Sequence, residues 1–267
     1  MDPAILAQYP QLADEDAGLP HRMRAFYLPL LEDFCRRRGL RREDVRVLDA
    51  GCGNGMPAEL LTCAGYSCYG IDLWSVRPHQ WGDRDFPDGP RCLLADVTRM
   101  PFDDGSFDVL LSSGLLEHVG VEEEWTPHYS VRPSADQAQV RTAFLQECLR
   151  VLRRPGTLFL DFPNGLFPID FWHDNQRTGM RWHSPFERFL PTASEIERLL
   201  ERAGFEGSFE ALSPARRFIF GQVGRRWWGR ALTAPAYGFL RAMETPGLRW
   251  MARSALNPYL VLRAETR

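Results

Sequence analysis

The chain has 267 residues, a net charge of −3, 44% hydrophobic residues and 25% charged residues. This composition is ordinary for a soluble globular protein, and the chain is long enough to bury a core. No apolar run approaches the ~18 residues of a transmembrane helix, and the first residues lack the regions of a signal peptide, so a single domain in the cytoplasm is expected.

Residues 22–38 predict the first helix. Phe26, Leu30, Leu31 and Phe34 recur near helical spacing. Pro29 either kinks this helix or marks its true start.

The most informative stretch follows as Val45-Arg-Val-Leu-Asp-Ala-Gly-Cys-Gly-Asn-Gly55. It predicts a buried strand over 45–50 and a glycine turn, a pattern typical of nucleotide-type sites. A dinucleotide fingerprint from the first glycine would need a glycine where Met56 stands, and only its looser form accepts Ala58. No phosphate-binding lysine follows, which excludes a P-loop.

The remaining pattern alternates strands with helices. This alternation predicts an α/β fold with a doubly wound, mostly parallel, seven-stranded sheet. Helices are expected at 57–64, 135–152 and 194–203, a loop at 74–90, a turn at 153–156, and strands at 67–72, 91–95, 107–112, 157–162, 205–210 and 258–264.

Three connections are longer than usual for such a fold, namely 119–134, 163–191 and 211–257. All three leave the carboxyl ends of predicted strands, where ligands bind in doubly wound sheets. We therefore expect one domain over 1–267, with a core at about 40–210 and 258–264 and these insertions forming a lid.

Several blocks in order resemble the class I S-adenosylmethionine (SAM) methyltransferases, in particular the type 11 group. The glycine stretch resembles motif I, and Met100–Val119 resembles the segment leading through motif IV. Leu149–Leu158 resembles the helix end and turn before the fifth strand. The resemblance implies a Rossmann-like methyltransferase fold, SAM as cofactor and S-adenosylhomocysteine as product.

The same resemblance implies roles for individual residues. Asp72 would accept the hydrogens of the ribose hydroxyls, Asp96 would meet the adenine amino group, and Val97 would pack on the ring. Asp49 would hold the glycine loop and reach the cofactor indirectly. The full set of expected cofactor residues is Asp49, Gly51, Cys52, Gly53, Asn54, Gly55, Asp72, Leu73, Asp96, Val97 and Ser113.

No metal is expected. The six cysteines form no CxxC pair, and no cysteine–histidine cluster has zinc spacing. Reduced, buried thiols are the expected state.

Methyl transfer from a sulfonium needs alignment and, for some acceptors, a base. His118, in the motif IV pattern, and His173 and His183, in the second insertion, are the candidate bases. Asp174 could orient or replace one of them. A structural role remains open for each histidine, and Glu117 is expected to be structural or to lie at the edge of the cofactor site.

The last insertion mixes arginine with tryptophan, as in Arg225-Arg-Trp-Trp-Gly-Arg230. Residues 211–267 carry ten arginines and two glutamates, a balance of +8 against −11 for residues 1–210. This pattern fits a lid, a membrane-surface contact or a solvated basic face. Nucleic acid is disfavoured, since motif IV lacks the Asn/Asp-Pro-Pro-Tyr type of sequence.

The leading function is O-methylation of a small-molecule or glycan hydroxyl. Residues 162–173 are similar to methyltransferases of polysaccharide and lipid-linked glycan pathways, which favours such an acceptor. Alternatives are C- or N-methylation of a lipid-like or natural-product acceptor, and a catalytically silent SAM-binding scaffold at a membrane surface. A dehydrogenase is disfavoured by Met56, although Ala58 keeps it open. Oligomeric state and acceptor identity stay undetermined.

Overall fold

A computed structural model describes residues 18–124, 130–173, 181–207, 209–218 and 227–267, with the side chains of 227–232 left out. Its strands are β1 Arg46–Ala50, β2 Ser67–Asp72, β3 Cys92–Leu94, β4 Phe107–Ser113, β5 Val121–Glu124, β6 Ser130–Pro133, β7 Leu152–Pro163, β8 Ile169–Asp170, β9 Arg181–Trp182, β10 Phe209–Leu212 and β11 Tyr259–Glu265. Its helices are α1 Leu19–Arg22, α2 Leu28–Arg38, α3 Met56–Cys63, α4 Arg77–Trp81, α5 Gln137–Val151, α6 Ala193–Ala203 and α7 Trp227–Ala242.

Seven strands form one sheet in the order β3-β2-β1-β4-β7-β11-β10. Strands β1 to β4 and β7 pair in parallel, while β11 runs antiparallel to both β7 and β10. The predicted mostly parallel seven-stranded α/β sheet is therefore confirmed. The chain order reverses between β1 and β4, which is where doubly wound sheets bind ligands.

Alternating strand residues feed two hydrophobic cores, one on each face of the sheet. Leu48 and Leu110 face a core shared with α5 and α6, where Phe144 and Ile196 are fully buried. The opposite core lies under α2 and α3. It is built from Val47, Val109, Leu31, Phe34 and Leu61.

The first helix differs from its prediction in having a π-turn at Met23–Tyr27. The N–H of Leu28 donates to the carbonyl of Met23, five residues back. This wider turn comes just before Pro29, which lacks an N–H and whose ring would crowd the carbonyl four residues earlier. Pro29 is the second residue of α2, which begins at Leu28, so it lies at the start of the α-helix proper, as one of the two alternatives expected, and the π-turn leads into it.

Three other boundaries were wrong. Strand β10 begins at Phe209, not at 205, and a short helix, α4, interrupts the predicted loop at 74–90. Residues 153–156 bulge within β7, because Phe107 pairs with Leu152 but Val109 pairs with Thr157.

The insertions contribute small elements at the same edge of the sheet. Strands β5 and β6 form a hairpin after β4, and β8 pairs with β9 after β7. The described part of 211–257 builds its own small core from Ala215, Leu240, Met243, Met251 and Ala252. Within the described ranges, no helix combines the length and apolarity needed to span a bilayer.

Candidate functional site

A cavity of about 640 Å³ opens at the carboxyl ends of β1, β2, β3 and β4. Its size is within the range of small-molecule sites. It is lined by Gly51, Asp72, Leu73, Trp74, Ser75, Asp96, Val97, Thr98, Leu115, His118, Val119, Gly120, Glu123 and Val140.

The glycine loop after β1 needs glycine for conformational and steric reasons. Gly51, Gly53 and Gly55 all have positive φ angles, which L side chains rarely adopt. A Cβ on Gly51 would lie 3.0 Å from Leu115, and one on Gly55 would lie 2.9 Å from Trp81. The loop is thus held tightly between neighbours, and the backbone of Gly51 faces the cavity.

Asp72, at the end of β2, ties this loop to the cavity wall. Its two oxygens accept hydrogen bonds from the N–H groups of Gly53 (3.0 Å) and Trp74 (2.9 Å). The Arg77 guanidinium lies 3.9 Å away. A carboxylate held from behind in this way can still present oxygen to a ligand in the cavity.

The next strand end contributes a second carboxylate. Oδ1 of Asp96 accepts hydrogen bonds from both the N–H and the hydroxyl of Thr98, each at 2.8 Å. Asp96 is exposed, whereas the neighbouring Val97 is buried against the core. Leu73, following β2, is also exposed to the cavity.

Asp49 is buried behind the loop at the end of β1. Its Oδ2 has no hydrogen-bond partner among the described residues. Burial, with the nearby charges of Asp72 and Asp161, raises the pKa of Asp49 to about 7. A buried carboxyl of this kind is costly to ionise.

Besides Asp49, five residues expected at the cofactor do not line this cavity, namely Cys52, Gly53, Asn54, Gly55 and Ser113. Cys52 is buried, and a hydrogen bond with Cys92 together with burial raises its pKa well above the usual value. The Asn54 side chain accepts a hydrogen bond from the N–H of Met56, the first residue of α3, at 3.0 Å. The Ser113 hydroxyl donates to Asp161 at 3.0 Å.

The structure brings two predicted histidines together, and one of them, His118, lines the cavity. His118 ends a 3₁₀ turn after β4, and His173 follows β8, yet their Nε2 atoms lie 3.4 Å apart. Nδ1 of His118 lies 2.7 Å from Glu123, and Nδ1 of His173 lies 2.9 Å from Asp170. Since carboxylates only accept, each Nδ1 carries the hydrogen and the two Nε2 atoms face each other.

The charges around this pair are predominantly negative. Burial alone would lower the pKa of His118, but the hydrogen bond with Glu123 and the charges of Glu117 and Asp170 outweigh it and raise that pKa. Burial raises the pKa of Glu117, which is 1% exposed. Burial also opposes ionisation of Asp170, yet its hydrogen bond with His173 keeps its pKa below the usual value.

The sequence interpretation did not single out Glu123 and Asp170. Asp170 precedes His173 by three residues, and Glu123 follows His118 by five. This closeness in sequence was the signal that could have indicated the two contacts. Neither spacing is specific in loops.

His183 is not part of the pair. Its backbone N–H donates to the carbonyl of Pro168 at 3.2 Å, and the Nε2 atom of its ring is buried with no hydrogen-bond partner among the described residues. Asp174 lies outside the described residues. The roles of His183 and Asp174 therefore stay predictions.

The segment of the chain that matches a known protein family includes the residues that line the cavity. Residues 48–160 match the sequence model of the family described as "Methyltransferase domain". This segment contains the glycine loop, Asp72, Asp96 and His118.

The chain is similar to two mycobacterial proteins that are each named "Probable S-adenosylmethionine-dependent methyltransferase". The protein of Mycolicibacterium smegmatis is 30% identical over 162 residues, covering 60% of this chain and 51% of the relative. That of Mycobacterium tuberculosis is 29% identical over 159 residues, covering 60% and 48%. The chain thus matches about half the length of these relatives.

Among solved structures, an S-adenosylmethionine-dependent methyltransferase from Mesorhizobium loti is similar with a TM-score of 0.50. It is 16% identical, and the match covers 83% of this chain and 90% of that one. At this identity the likeness supports the fold alone, and it agrees with the Rossmann-like sheet.

Proposed function

We propose that this chain is a class I SAM-dependent methyltransferase of the type 11 group and that it methylates a hydroxyl of a small-molecule or glycan acceptor, which the match of residues 48–160 and the mycobacterial relatives support. One observation carries the proposal. A single cavity is lined both by the strand-end acids Asp72 and Asp96 and by His118, which belongs to the paired histidines. Cofactor and acceptor groups would therefore meet in one space.

The residues of the cavity fit SAM. Gly51 offers backbone without a Cβ, Asp72 would accept from the ribose hydroxyls, and Asp96 from the adenine amino group, while Val97 and Leu115 give apolar contact. When bound, SAM supplies a methyl group on a positively charged sulfur. The buried Asp49 adds negative potential behind the loop when it is ionised.

The histidine pair fits the needs of a hydroxyl acceptor. A hydroxyl attacks better as its proton is removed, and Nε2 of His118, whose side chain lines the cavity, would take that proton. Glu123 and Asp170, each against an Nδ1, fix the ring orientations and would stabilise the protonated imidazole. Phe189 packs on both rings and excludes water from one side.

The first two insertions would select the acceptor. Val119, Gly120 and Glu123 of segment 119–134 line the cavity, and segment 163–191 supplies His173. Trp172 and Phe171, both partly exposed beside His173, would offer apolar and aromatic surface to a sugar or lipid-linked glycan.

Peripheral membrane contact through 211–257 stays a prediction. Part of its apolar content is used in its own core, but Trp250 is 61% exposed beside the exposed Arg249. Sedimentation with anionic and neutral vesicles tests it, since an interfacial contact predicts binding to anionic vesicles that is lost in Trp250→Ser.

The proposed function is tested in two steps. Calorimetry should show binding of SAM and S-adenosylhomocysteine that falls ~10- to 100-fold in Asp72→Ala, because a charged hydrogen-bonding group is removed. Release of S-adenosylhomocysteine should then depend on an added hydroxyl acceptor, with sugars and lipid-linked glycans screened first. Binding without turnover on any acceptor would favour the silent scaffold, and no binding by folded protein would overturn both.

A further inference from the structure

We propose that Glu117, His118 and His173 form a binding site for a divalent transition-metal cation of the Zn²⁺ type. One potential ligand atom from each residue lies within 4.8 Å of those of the other two. Two imidazoles and one carboxylate, with the side facing the cavity open, make up the ligand set of a catalytic rather than a structural zinc site.

The orientation of the two rings supports this inference. Both Nδ1 hydrogens point to carboxylates, so neutral rings would aim two lone pairs at each other across 3.4 Å. A tetrahedral cation ~2.1 Å from each nitrogen separates the two nitrogens by ~3.4 Å, which matches the observed distance. The rings are thus already spaced for a shared ligand.

Glu117 gives an independent indication. Its side chain is 1% exposed, and its Oε2 has no hydrogen-bond partner among the described residues. An unpartnered buried carboxylate oxygen is costly. A cation bound between Glu117 and the histidines would remove that cost.

The outer contacts are those of a metal site. Metal-bound histidines usually donate their other N–H to a carboxylate. Here Glu123 accepts from Nδ1 of His118, and Asp170 accepts from Nδ1 of His173. Arg181, the nearest described guanidinium to Asp170, is itself paired with Glu187 at 2.9 Å. Arg141, which donates to the carbonyl of Glu117, is likewise paired with Glu195 at 2.9 Å. Among the described residues, the carboxylates of Glu117, Glu123 and Asp170 thus lie around the histidines, while both nearby arginines are paired with further glutamates, so the local field favours a cation.

The role of the cation rests on the proposed function, whereas its binding does not. His118 and Glu123 line the cavity, so the open side of the site faces the acceptor space. An oxygen of the acceptor, or water, would complete the coordination there. Ligation by Nε2 would replace proton uptake by the histidine pair, because the same lone pairs are used.

The test is a titration of chelator-treated full chain with Co²⁺, without SAM or acceptor. We expect one equivalent to bind with the visible absorption of four-coordinate Co²⁺ and to be displaced by Zn²⁺. Glu117→Gln and His173→Gln should each weaken binding at least ~10-fold, and Glu123→Gln should also weaken it by ~10- to 100-fold although it touches no metal. His79→Gln, an exposed histidine on α4, should leave affinity unchanged.

Circular dichroism and urea unfolding of each variant serve as the check of folding, since neither depends on SAM. Absence of Co²⁺ uptake, or uptake that is equal in wild type and in the folded ligand variants, would overturn the site. If the metal binds as expected but no acceptor is methylated, the site stands and the proposed function fails.

Discussion

Arg217 of the last insertion forms a buried ion pair with Asp161 of β7, with 2.7 Å between Nη2 and Oδ1. Tyr259 donates to the same oxygen at 2.9 Å, and Tyr27 donates to the other one. The pair therefore joins the insertion, the N-terminal helical segment and the sheet at one buried point. An arginine from the basic 211–257 segment thus lies in the interior.

Replacing Arg217 by Met should destabilise the fold by about 3–5 kcal/mol, because Asp161 would stay buried without its cation. Urea unfolding measures the loss. Arg216→Met is the matched control, since the neighbouring side chain is 55% exposed and its Glu244 contact is 3.8 Å, so a change below about 0.5 kcal/mol is expected. Equal losses in the two variants would contradict a special role for the buried pair.

Asp49 should make stability fall as pH rises. Its pKa of about 7 in the folded protein exceeds the ordinary 3.8, so the folded state holds a proton that the unfolded state has lost between those values. Stability then declines through this range, by about 4 kcal/mol in all for the three-unit difference. Asp49→Asn should remove this decline, so its stability relative to wild type rises from pH 4 to pH 8.

Urea unfolding at several pH values measures this difference, and Asp103→Asn, at an exposed aspartate, is the control that should leave the profile unchanged. A pH profile of Asp49→Asn that runs parallel to wild type would show that Asp49 titrates normally.

Gly51→Ala should weaken SAM binding at least ~10-fold. The residue has φ of 81°, and its new Cβ would press on Leu115, which lines the cavity. Gly39→Ala is the matched control, since φ is 66° there but the added Cβ meets nothing within 4 Å. Calorimetry should show that Gly39→Ala keeps the wild-type affinity despite similar backbone strain, and a comparable loss in both would assign the effect to strain alone.

Arg141→Lys should cost about 2–4 kcal/mol of stability. The fully buried Arg141 donates to the carbonyls of Val119 and Phe189 and pairs with Glu195 at 2.9 Å. A lysine ammonium cannot span these directions, which leaves buried acceptors unpaired. Thermal or urea unfolding measures the loss, and Arg198→Lys, an exposed arginine on α6, should be near neutral. A near-neutral Arg141→Lys would mean that water or a shifted chain replaces the lost bonds.

The sequence by itself predicted the sheet and carried the resemblance to a methyltransferase family. Hydrophobic strands followed by or ending in glycine or aspartate predicted β1 to β3, and parallel strands bring their carboxyl ends to one edge. Asp72 and Asp96 therefore line one cavity with Gly51, as their places at strand ends indicated. Local pattern suffices here because the backbone topology alone sets these positions.

Only the tertiary structure decided where the side chains of the insertions lie and which residues they contact. His118 and His173 are 55 residues apart, and their approach depends on how two loops fold over the sheet. Glu117 is buried, and Arg217 is paired with Asp161 in the interior. Neither the burial nor the ion pair leaves a periodic signal in the sequence. Such contacts arise from long-range packing, where a side chain's partner and its exposure to water are set by residues far away in the chain.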